Sequence, residues 1–190
     1  SGDWSSDVCS SDLAFFMELI GLTFRSDKDT HRTKFTKGQK SVAENAYKLL
    51  SAWRRVPGTK SDGNFAPKAF NEWVAAMAAA AKKSGHLRIA LSELGQVLTY
   101  ASADPSGLWI HKAVAEVLNG KTFEAMRHGF MIELFNQRGV HGYSGGREEH
   151  EIATKFHQRA DELETAGFHR FAASLRDLAK QYEQDAEREE

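Results

Sequence analysis

Apolar residues return at helical spacing along most of the chain, and the breaks between these stretches fall at Gly and Pro. Ala14 to Phe24, AFFMELIGLTF, is a short apolar segment interrupted by Gly21, and residues 25–40 are polar and aperiodic, as in a linker. From Ser41 the period is clear. Ser41-Val-Ala-Glu44 is a capping box, followed by Val42, Ala46, Leu49, Leu50 and Trp53 up to the stop at Pro57-Gly58. Pro67 opens the next helix, with Phe65 and Phe70 spaced for a hydrophobic staple and Gly85 at its end. A third stripe runs from Leu87 to Ala101, broken only at Gly95, where a missing side chain lets another helix approach. Asp104-Pro105 reads as an N-cap and first-turn pair for a helix closed by Gly120.

The most apolar helix is expected over residues 122–138. Thr122 is suited to cap it, and Phe123, Met126, Phe130, Met131, Ile132, Leu134 and Phe135 leave a narrow polar strip. That pattern predicts a central helix surrounded by others. Two more amphipathic helices follow, Arg147 to Thr165 and the stretch from Phe168 through Tyr182, with Gly167 between them. Short connections make such helices antiparallel neighbours, so the expected fold is all-α, an irregular bundle or short α-α superhelix of about seven antiparallel helices. No repeat of fixed period marks a solenoid.

The front of the chain changes how composition is read. Residues Asp3 to Leu13, DWSSDVCSSDL, resemble the in-frame translation of a common sequencing adapter and have no apolar period. The expected organisation is therefore a non-native segment at 1–13, a remnant helix and linker at 14–40, and a helical domain at 41–190. Setting the segment aside removes the single cysteine, Cys9, and with it any disulfide, thiolate nucleophile or cysteine-ligated zinc. It also removes three aspartates, which moves the formal charge from -1 to +2. Neither value calls for a polyanion, which argues against nucleic acid as a partner. No stretch approaches the roughly 20 apolar residues of a membrane span. A cytoplasmic protein with no membrane partner is the expected class.

Candidate chemistry gathers at one loop. Arg138 closes the 122–138 helix, Gly139-Val-His-Gly-Tyr-Ser-Gly-Gly146 follows, and Arg147 opens the next helix. Cations and exposed amides there suit an anion, with Arg138 and Arg147 as clamps and His141 as acid-base group of a small helical enzyme. The competing reading makes Gly139 a helix stop and Arg138 the answer to the helix dipole. The loop is no nucleotide P-loop, because it follows a helix and no Lys follows Gly146. His150-Glu151 begins a zinc-protease pattern, but Thr154 stands where the second histidine belongs. His150 and His157 lie roughly 10 Å apart along a helix axis, too far to share one metal alone. Neither a metal nor a cofactor is expected.

From Trp53 onward the phrases SAWRRVPGT, GQVLTYASADPSGLW and GFMIELFNQRGVH resemble a helical region in the C-terminal part of long bacterial proteins of unknown function. The resemblance implies a module of a larger protein and brings no catalytic residue. The leading expectation is thus a non-catalytic interaction or scaffold module that packs on other domains of its own polypeptide or on a protein partner.

Overall fold

The computed structural model describes residues 4–30, 36–139 and 145–189, with side chains from residue 12 onward. The described residues form eight helices: α1 (Trp4–Thr23), α2 (Lys37–Ser51), α3 (Pro67–Ser84), α4 (Leu87–Leu98), α5 (Lys112–Asn119), α6 (Glu124–Asn136), α7 (Arg147–Thr165) and α8 (His169–Glu189). No strand occurs among them, and the fold is all-α. The chain divides into two compact units, Ser1–Glu93 and Leu94–Glu190. This differs from the expected single domain over 41–190, and the residues expected as a remnant before it belong to the first unit.

In the first unit α1 runs without a break through Gly21. Phe16, Leu19 and Ile20 are buried on one face, against α2 and α3. A helical glycine costs about 1 kcal/mol relative to alanine, whereas burying a large apolar side chain gains about 1.5–3 kcal/mol, so three such residues outweigh the one glycine. The Phe16 ring stands edge-on to Trp53 at 5.8 Å and to Trp73 at 5.4 Å between centroids.

The start of α2 also lies earlier than Ser41. Thr36 Oγ1 accepts from the Gln39 amide at 3.3 Å and the Thr36 amide donates to Gln39 Oε1 at 2.9 Å, a capping box one turn upstream. Pro67 opens α3 as expected, with the Phe65 and Phe70 rings 5.4 Å apart across its start. Residues 24–28 dock on the far end of that helix. Ser26 Oγ donates to the Ser84 carbonyl at 2.7 Å and Lys28 Nζ to the Lys83 carbonyl at 2.6 Å. These bonds satisfy carbonyls that the end of a helix leaves open.

In the second unit α8 is the element that touches α5, α6 and α7. The expectation of a fully surrounded α6 is therefore corrected in part. Met126 and Phe130 are buried, but Ile132 and Phe135 are 39% and 44% exposed. Gly95 does allow a close crossing, since a Cβ at that position would collide with the Met126 carbonyl. The Trp109, Phe130 and Phe171 rings meet at 5.3 to 6.3 Å and fill the space between α6 and α8.

Asp104 caps at a distance. α5 begins at Lys112, capped by His111, whose Nδ1 accepts from the Ala113 amide at 3.2 Å. The Asp104 carboxylate accepts from the Ser106 amide and from the Lys112 amide, each at 2.9 Å. Residues 105–111 thus form a loop between the aspartate and the helix it serves. Hydrogen bonds from Ser106 and Lys112 hold the carboxyl well below its ordinary range.

Candidate functional site

The second unit holds Arg138, Arg147 and an apolar groove in neighbouring parts of α6, α7 and α8. At the end of α6, Arg138 turns inward. Its guanidinium Nη2 donates to Oε1 of Glu149, whose side chain is wholly buried, and its Cζ lies 5.5 Å from the Tyr182 ring centre. A carboxylate removed from water needs such a partner, because an unpaired buried charge costs several kcal/mol. The charge that was expected to meet an anion is thus engaged within the unit, and it joins the end of α6 to the first turn of α7.

Arg147, by contrast, is exposed at the start of α7, in an open depression that it shares with His150, Glu151 and Thr154. The amide end of α7 meets carboxylates of its own chain. The Gly146 amide donates to Glu189 Oε2 at 3.3 Å, and Glu148 and Glu149 stand in the first turn. His141 lies outside the described residues. The structure therefore places Arg138 against a buried carboxylate and Arg147 in a separate, exposed position.

The histidines considered as metal ligands are also spread. His157 Nε2 pairs with Glu183 of α8 at 2.9 Å, and His150 is exposed on α7. Among the described residues no cluster of three His, Cys, Asp or Glu side chains is placed to hold a metal ion.

A groove of about 530 Å³ lies between α6 and α8. Met131, Ile132 and Phe135 of α6 and Leu178 of α8 give its apolar lining, with Glu124, Arg127, His128 and Asp177 among its polar residues. The α6 side is held at two points. Phe135 stacks 5.6 Å from the buried Tyr182 ring, and Arg127 Nη1 donates to the Leu118 and Gly120 carbonyls at 2.8 and 2.6 Å. The apolar lining is carried on two helices that pack against each other.

No protein-family model, curated protein or solved structure matches the chain. Sequence periodicity assigned Ile132 and Phe135 to the core, and so passed over the groove. Apolar character at helical spacing marks a face that wants cover and leaves open which molecule supplies it.

Proposed function

We propose that the chain is a non-catalytic helical interaction module that uses the α6–α8 groove to hold an apolar segment of a protein partner or of another domain of its own polypeptide. The observation that carries this reading is the half-exposed pair Ile132 and Phe135 beside Met131 and Leu178, in a groove lined by both apolar and polar residues. Full burial of a large apolar side chain is worth about 1.5–3 kcal/mol, so completing the cover of these two residues offers roughly that much for the pair. An amphipathic helix laid in the groove is the recurrent way such a surface is used.

The same reading extends to setting and context. No helix among the described residues is long and apolar enough to cross a membrane, and a lone cysteine offers no internal disulfide, which suits a cytoplasmic protein. The likeness of residues 53 onward to C-terminal helical regions of long bacterial proteins favours a module within a larger assembly. Engagement of Arg138 with Glu149 removes one clamp from an anion-binding enzyme site.

Co-purification with the tagged full chain tests the proposal. A partner is expected with the native sequence and with Lys155→Asp, an exposed control on α7, and is expected to be lost with Ile132→Asp plus Phe135→Asp while helicity by circular dichroism stays unchanged. Retention of the same partner by the double variant would sink the groove as its binding site.

A further inference from the structure

The first unit carries a second apolar surface, on α1 and α2, with a different charge arrangement. Phe15 and Leu22 stand seven residues apart on α1, and Val42 and Leu49 seven apart on α2, so each pair repeats along one helical face. All four are between 42% and 55% exposed. On α2 this stripe lies beside the buried one of Ala46 and Leu50, giving the helix two apolar seams of which the unit covers one. Asn45, exposed between Val42 and Leu49, is the polar position on the open seam. A single short amide among apolar residues is tolerated between helices at some cost in stability, and it restricts which registers can form.

The two helices run antiparallel. Asp12 is 3.6 Å from Arg55, and the Phe15 ring is 5.9 Å from the Trp53 ring, so the early part of α1 lies beside the residues that follow the end of α2, and α1 runs back along α2. Three residues onward from Phe15 is Glu18, and three back from Trp53 is Leu50, two residues from Lys48. Glu18 and Lys48 are therefore nearly level, both exposed, on the outer edges of the apolar strip.

An acid on one edge and a base on the other form a self-complementary pattern. A two-fold axis parallel to the hairpin lays α1 of one copy over α2 of the other, setting Glu18 against Lys48 of the second copy on both sides and closing Phe15 and Leu22 over Val42 and Leu49. The alternative two-fold, across the hairpin, sets Glu18 against Glu18 and Lys48 against Lys48. Isologous contacts of the first kind complete a four-helix bundle from two hairpins.

We infer that this face is where two copies of the chain associate, through a four-helix contact registered by Glu18 and Lys48. The inference is independent of the groove in the second unit. Sedimentation velocity on the full chain from about 1 to 100 µM tests it. A dimer is expected to grow with concentration and to disappear in Val42→Asp plus Leu49→Asp, with circular dichroism unchanged, while Ile132→Asp plus Phe135→Asp leaves it intact. Glu18→Lys alone is expected to weaken association about tenfold, and Glu18→Lys plus Lys48→Glu to restore it. A native chain that stays monomeric at 100 µM overturns the inference and leaves the face to a helix of another protein. A dimer that survives Val42→Asp plus Leu49→Asp overturns it too, as does a charge exchange that restores nothing.

Discussion

The two units solve the same packing problem and leave different surfaces behind. In the first, α1 and α2 present a strip of separate apolar side chains with Glu18 on one edge and, nearly level with it, Lys48 on the other, where Glu44 stands one turn earlier. In the second, α6 and α8 line a groove whose polar residues mix both signs, and the nearby end of α6 is fixed by a buried ion pair. A strip with opposite edges recognises its own copy turned over. A groove with a mixed set of polar residues has no such symmetry and suits an unlike segment. Both surfaces come from helices with more apolar circumference than their own unit covers.

The contrast can be tested from its strongest dependence downward. Arg138→Ala removes the guanidinium that pairs with the buried Glu149 carboxylate, and should lower the stability of the second unit by up to about 3–5 kcal/mol. Hydrogen exchange should show protection lost in α6 to α8 and kept in α1 to α3; equal loss in both units would mean that they do not unfold separately. Gly95→Ala is expected to cost about 1–3 kcal/mol, again in the second unit, because the added methyl meets the Met126 carbonyl and backbone cannot move aside as a side chain does. A melting temperature unchanged by this variant would show that α4 and α6 cross less closely.

Thr36→Ala acts on the other side of the comparison. Loss of the cap should cost about 1 kcal/mol and loosen the first turn of α2, just before the open seam, leaving the second unit untouched. Dimer formation should weaken with it. The smallest effect concerns pH. The Asp104 carboxyl is held below its ordinary value of 3.8 by hydrogen bonds that only the ionised form accepts fully. Its contribution is therefore present above that ordinary value and is lost as pH falls through the lower folded one. Asp104→Asn should flatten the acid side of the stability curve of the second unit, and an unchanged curve would show that other groups govern it.

Much of this architecture was legible in residues with local chemistry. Pro67, the Phe65 and Phe70 staple and Gly85 fixed both ends of α3, since each acts on its immediate neighbours. Where two local signals competed, the choice lay in tertiary contacts. Thr36 and Gln39 start α2 before the equally well-formed Ser41 and Glu44 pair, and α1 continues through Gly21 because three large side chains are buried around it. Asp104 was recognised as a capping residue, but the loop it spans cannot be read from spacing. The candidate site was harder still. Glu149 reads as an ordinary first-turn acid, and only the packing of α7 against the end of α6 gives it Arg138. Ile132 and Phe135 look like core from periodicity alone, which records apolar character and leaves cover undetermined.

Photo-cross-linking in cells, with benzoyl-phenylalanine in place of Leu49, Phe135 or the exposed Lys155, tests most directly whether both surfaces bind and whether they bind differently. The expected products are an adduct of two copies of the 21.2 kDa chain from position 49, an adduct with a different polypeptide from position 135, and neither above background from position 155. Positions 49 and 135 that label no more than position 155 would contradict the account of this chain as an interaction module.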